Sequence, residues 1–205
     1  MRTRTAVIVA ASGMCLSALS LAGAQTGRST NAPALSALDY IEIQQLVNRY
    51  AYAIDACTNN GYDYADLYAP DGIFYWGVGP RTSVGREQLA EAAGGGKNGC
   101  QKLERATADR PLPSHTTVNL VIEPTPEGAK GKSYLVYPGE LGRWADPTHS
   151  GHVGGYQDVY VKTPQGWKFK SRLHVFPPAV PGSVDIAKMY PAAPQASSSA
   201  AGDRR

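Results

Sequence analysis

The residues best suited to do chemistry in this sequence are an acid and an imidazole far apart in the chain, Asp55 and His115. Asp55 ends the stretch Gln44 to Asp55, QQLVNRYAYAID. In it Ile43, Leu46, Val47, Tyr50 and Ile54 recur at three- and four-residue steps, the period of a helix with one buried stripe. An acid at the end of such a stripe is costly unless something pairs with it. His115, on a strand sixty residues later, is the expected partner. A carboxylate accepting from one imidazole nitrogen fixes the tautomer and leaves the other nitrogen as a base. Such a base takes a proton from a carbon next to an activating group. The same two residues also make sense as a buried structural pair.

Tyr50 is the candidate proton donor to a leaving hydroxyl or a developing enolate. Five helical steps place it roughly 140° from Asp55, so both reach one pocket only if the pocket wraps the helix end. As a core filler it fits equally well. Asn119 is two pleats from His115 on the same expected strand face and is a candidate for orienting substrate. Tyr75 and Trp76 point opposite ways on an expected first strand, so one of them lines a pocket. Tyr156 is a further candidate lining residue. Asp146, His149 and His152 have a metal-like spacing, but they lie in an irregular connection and read as a solvated loop, so no metal is expected. No Gly-rich phosphate loop follows a strand, and no Ser or Cys nucleophile motif occurs.

The elements that must position these residues follow from pattern. Ser36-x-x-Asp39 and Asp39-x-x-Glu42 are overlapping capping boxes that start the first helix. It ends at Asp55 before the turn signal Asn59-Asn60-Gly61. Tyr62 to Tyr68 reads as a short second helix stopped by Pro70, Ile73 to Val78 as a first strand, and Gly85 to Ala93 as a third helix. Gly94 to Pro113 is undetermined. Strands are expected over Ser114 to Glu123, Lys132 to Tyr137, His152 to Thr163 and Trp167 to Phe176. In the first, Val118, Leu120 and Ile122 share one face, and His115, Thr117 and Asn119 the other. In the last, Trp167, Phe169, Leu173 and Val175 face one way, and Lys168, Lys170, Arg172 and His174 face water. Asp185 to Tyr190 is one helical turn. Helices followed by a curved antiparallel sheet make an α+β cone with an apolar pocket.

Residues 1–24 read as a cleaved signal peptide: Arg2 and Arg4, an apolar run from Ala6 to Leu21, and Ala22-Gly23-Ala24 before Gln25. Residues 25–35 are a linker, 36–190 the folded domain, and 191–205 a disordered tail. The expected location is therefore secreted or periplasmic. Without the two arginines the net charge falls from +3 to +1, which leaves no basic run for nucleic acid. No membrane partner is expected either. Cys57 and Cys100 remain after processing, either as a disulfide or as two thiols.

Four motifs together resemble the SnoaL-like branch of the nuclear transport factor 2-like superfamily, whose fold is cystatin-like. They are Tyr50-x4-Asp55, Tyr68-x2-Asp71-Gly72, Ser114-His115-x3-Asn119, and Gly155-x2-Asp158-x-Tyr160 with Lys162-x4-Trp167-Lys168. The resemblance spans roughly Ala37 to Pro177. Dehydratases and a dehydrochlorinase of that superfamily use an Asp at the end of the first helix with a His on a later strand. This implies Asp55 and His115 as a catalytic dyad, with Tyr50 matching a Tyr that acts in the bile-acid dehydratase. The arginine which that enzyme carries on its last strand has no evident counterpart near Phe176, so the substrate does not carry over. The resemblance implies a cofactor-independent lyase or isomerase acting on a small apolar ring compound. The alternative is a non-catalytic ligand-binding or interaction protein of the same fold. Homo-oligomers are common on this fold, and nothing in the chain selects one.

Overall fold

The computed structural model describes residues 34–107, 114–136 and 152–191. The signal stretch, nearly all of the linker, the tail beyond 191, and Asp146 and His149 lie outside the described residues.

Helix α1 (Ala37–Ala56) starts on the capping box: Asp39 donates its backbone N–H to Ser36 Oγ at 3.2 Å, and the Ser36 N–H donates back to the Asp39 carboxylate at 2.9 Å. Two otherwise orphaned donors are thereby satisfied. Its buried stripe is the one the spacing predicts, with Asp39 and Ala53 added. The helix stops at Cys57, in the left-handed region at φ 53°. Asn59 and Asn60 are also left-handed in the 3₁₀ turn Thr58–Gly61, a conformation that Asn tolerates.

Helix α2 (Tyr62–Ala65) is shorter than expected, because the chain enters strand β1 (Tyr68–Tyr75) before Pro70 and not after it. Proline lacks the N–H a ladder needs, and it falls in the break in β1–β6 register between Tyr68 and Ile73. Strand β2 (Thr82–Val84) is an edge strand that no pattern signalled. Helices α3 (Gly85–Ala92) and α4 (Lys102–Arg105) precede the long strands β3 (Thr116–Thr125), β4 (Gly128–Val136), β5 (His152–Thr163) and β6 (Gly166–Val175). The single turn α5 (Ile186–Met189) follows, capped by Asp185.

The protein is α+β, with one curved, unclosed sheet ordered β2-β1-β6-β5-β4-β3. The expected all-antiparallel sheet needs one correction: β1 runs parallel to β6. The concave face packs on α1 through Tyr50, Tyr64, Tyr156, Tyr160 and Phe169. On the other face, Ile73, Tyr75, Leu173 and Val175 form a second core under Tyr190. Gly131 sits where a Cβ would lie 2.7 Å from the Tyr160 ring, so only glycine lets that ring lie across β4.

Two register slips overturn the expected faces. In the β5–β6 ladder, Val159 pairs with Ser171 and Tyr160 with Phe169, which makes Lys170 an extra residue. A one-residue slip moves every later side chain to the opposite face. Trp167 and Phe169 face α1, but Leu173 and Val175 face Tyr190, and Arg172 turns inward and is fully buried. The wet face predicted for Arg172 and His174 does not exist. In the β3–β4 ladder, a slip between Val118 and Val121 falls at Asn119, which is left-handed at φ 56°.

Candidate active site

Helix α1 delivers Asp55 from its last turn, and the entry into β3 delivers His115. The Asp55 carboxylate accepts from the His115 backbone N–H at 2.9 Å and pairs with the ring Nδ1 through its other oxygen. With the Nδ1 proton directed at the carboxylate, Nε2 carries the lone pair. Both side chains are mostly buried, 16 and 12 % exposed. The pair lines an open cavity of about 840 Å³ in the seam between α1 and β3. Gln45, Asn48, Ala51 and Tyr52 line it from α1; Ser114, just before β3, and Thr116 and Thr117 of β3 line it from the other side. This arrangement suits proton abstraction by Nε2 from a molecule seated in the seam, with the carboxylate stabilising the imidazolium that forms.

On its other side His115 meets Tyr50 edge-on, with ring centroids 6.0 Å apart. The strand therefore wraps the helix end far enough to bridge the angle between Tyr50 and Asp55. Tyr50 itself is fully buried, and its hydroxyl lies 3.1 Å from that of Tyr156. Burial raises the Tyr50 pKa, against the opposing pull of Arg172, and so keeps the phenol protonated. Tyr156 is thus beside the dyad's neighbour, in the concave core.

The remaining expected lining residues fall elsewhere. Asn119 is exposed at its bulge and does not share the His115 face. Tyr75 belongs to the opposite core, stacked on Tyr190 at 4.7 Å. Trp76 is half-buried at the edge of the concave core; its Nε1 donates to Ser83 Oγ at 3.2 Å and the Arg81 guanidinium lies 3.9 Å over its ring.

The residue that pattern missed is Arg172. Its guanidinium lies 4.1, 4.0 and 4.3 Å from the ring centroids of Tyr50, Tyr156 and Phe169. Asp158 accepts from its Nε and Nη2, both at 2.8 Å, and from the Tyr160 hydroxyl. Burial alone would push the guanidinium pKa down; the charge and hydrogen bonds of Asp158 outweigh it and hold it well above the usual range. The floor of the cone is thus filled by an ion pair and aromatic rings. A signal for it does exist: Asp158 stands between Tyr156 and Tyr160 on one buried face, and a buried acid demands a base.

Beside the dyad, Cys57 and Cys100 form a disulfide with Cα atoms 6.3 Å apart. This resolves the two open readings of the cysteines in favour of the bridge.

No curated protein matches the chain. Solved structures do. A Nostoc punctiforme protein of unknown function with a cystatin-like fold superposes with a TM-score of 0.51 at 21 % identity, over 73 % of this chain and 98 % of its own. A nuclear transport factor 2-like protein of Novosphingobium aromaticivorans gives 0.51 at 20 %, over 69 and 84 %. A Mycobacterium tuberculosis protein of unknown function gives 0.50 at 23 %, over 70 and 74 %. At these identities the likeness concerns the fold alone. The family model described as the SnoaL-like domain matches residues 36–173, from the N-cap of α1 to β6. With the helix-and-cone architecture and this match together, the chain belongs to the SnoaL-like family of the nuclear transport factor 2-like superfamily.

Proposed function

We propose that the protein is an exported, cofactor-independent lyase or isomerase in which His115 abstracts a proton from a carbon of a small apolar ring compound. Asp55 holds the imidazole tautomer; Tyr50, expected as the proton donor, is buried behind His115 with its hydroxyl paired to Tyr156 and does not line the cavity, so its part is to hold the imidazole ring from the inner side. The observation that carries this reading is the Asp55–His115 hydrogen bond on the wall of an open cavity. General acid-base help of this kind contributes about 10² to 10⁴ in rate. Export is supported by the Cys57–Cys100 bridge, since disulfides persist in oxidising compartments.

A thermal-shift screen against aromatic and terpenoid alcohols supplies the ligand, and turnover or deuterium uptake from solvent at the ligand's acidic carbon supplies the assay. His115→Ala and Asp55→Ala are expected to leave a folded protein with the rate down by at least about a hundredfold. Unchanged turnover in either variant excludes the dyad. The second reading, a non-catalytic binding or interaction protein, draws on one observation: the cone floor is filled by Arg172, Asp158 and their aromatic neighbours. Ligand binding without any exchange or turnover selects it.

A further inference from the structure

The dyad has a charged neighbour that neither the motifs nor the proposed reaction uses. Lys102, on α4, donates its Nζ proton to the Ile54 carbonyl at 2.6 Å, one residue before Asp55. Ile54 is in the last turn of α1, where carbonyls lack intrahelical partners and a cation is favoured. That last turn holds no basic residue of its own. The lysine is built into place from two sides. The Cys57–Cys100 bridge ties the segment leading into α4 to the residue that ends α1. A Cβ on Gly94, itself at φ 95°, would lie 3.1 Å from Lys102 Cε, so the stem runs over a position kept bare.

We propose that Lys102 is a positioning residue for the dyad, held against the end of α1 by the disulfide, and that its ammonium sets how strongly Asp55 draws the proton onto His115. The proposal rests on the reading of Asp55 and His115 as an acid–base pair. Physically, a cation on the carbonyl one residue before Asp55 pins the last helical turn that aims the carboxylate, and its charge offsets part of the carboxylate's field at the imidazole. The Asp55 charge in turn favours the ammonium, which burial disfavours and which is pushed below the usual lysine range on balance. Breaking the bridge frees the segment before α4 and removes the same cation, so the state of the two sulfurs is transmitted to the base.

Asp55 and Tyr50 from α1 meet His115 directly, and Lys102 from α4 sits on the carbonyl next to Asp55. Tyr156 and the Arg172–Asp158 pair from β5 and β6 lie behind Tyr50.

The test is an NMR titration of the His115 imidazole in the full chain, compared among wild type, Lys102→Met and Lys102→Arg, and repeated on a Cys57→Ser, Cys100→Ser double variant. Lys102→Met is expected to move the His115 midpoint measurably upward, because a cation near the imidazolium is lost. Lys102→Arg is expected to restore it, and the double serine variant to shift in the same direction as Lys102→Met. The backbone amide spectrum reports separately that each variant is folded. A midpoint that is the same in wild type and Lys102→Met overturns the proposal, as does a double serine variant that matches wild type. The titration needs no substrate. A dyad that proves inactive but still responds to Lys102 sinks the enzymatic reading while leaving the coupling intact, and an active dyad that ignores Lys102 does the reverse.

Discussion

Arg172 is a guanidinium kept from water by three aromatic rings, and Asp158 is what makes that tolerable. Neither side chain has any exposed surface. Removing one partner strands the other as an uncompensated buried charge, which typically costs about 3–5 kcal/mol. Asp158→Ala is therefore expected to lower the unfolding free energy by that order in urea titration. An Asp158→Leu, Arg172→Met double variant is expected to recover most of the loss, because apolar replacement of both partners removes the stranded charge. A single variant as stable as wild type would mean that the pair is not buried. At the same scale Tyr50 and His115 differ in access: the Tyr50 hydroxyl is dry and paired with Tyr156, whereas His115 reaches the seam.

At the scale of elements, α1 is anchored at both ends by residues that reach across the fold. At its start Asp39 accepts from Lys162 Nζ at 2.6 Å and Trp167 Nε1 at 2.9 Å, on top of its capping bonds to Ser36. Lys162, then Ser36 and Trp167, hold its carboxyl well below the usual carboxylate range. A group with a depressed folded pKa contributes stability above its unfolded value, about 3.9, and loses it as pH falls through the folded one. Asp39→Asn is expected to lower Tm by a few degrees at pH 7. The gap between variant and wild type should then narrow as pH falls below about 4, where the unfolded chain's Asp39 takes up a proton that the folded carboxylate still resists. A gap that is constant with pH would exclude an electrostatic origin. At its other end α1 is held by His115 through Asp55 and by Lys102 through Ile54. The two ends bring the dyad and the β5–β6 hairpin into one frame.

For the molecule as a whole, the disulfide closes a 43-residue separation from the end of α1 to the entry of α4. The loop includes α2, β1, β2 and α3, nearly all the structure between the helix and the long strands. In the chain-entropy account a closure of this length contributes about 4 kcal/mol. The Cys57→Ser, Cys100→Ser variant is expected to show a loss of that order in denaturant midpoint multiplied by slope, with no change in the wild-type protein's behaviour on adding a thiol-blocking reagent without reductant. A loss under about 1 kcal/mol would show that the unfolded chain is little constrained by the bridge.

Legibility in the sequence followed the range of the interaction. The α1 stripe was readable because helical period and capping are local, and Asp55 stood out because an acid ending that stripe needs a partner. The cone was readable because four motifs kept their order. What could not be read were the faces of β3 and β6. Alternation assigns a side chain to a face only while the ladder keeps register, and the extra residues Asn119 and Lys170 are defined by what lies across from them on β4 and β5. The parallel β1–β6 pairing likewise belongs to the assembled sheet. By itself the sequence determined the first helix, the long strands, the family's architecture and the identity of the acid and imidazole, but not β2, α4 or the start of β1. Tertiary structure alone decided that Arg172 is buried, that Tyr75 and Asn119 stand away from the dyad, and that Lys102 and the disulfide stand beside it. The physical reason is that a one-residue slip reverses a face without changing any local preference.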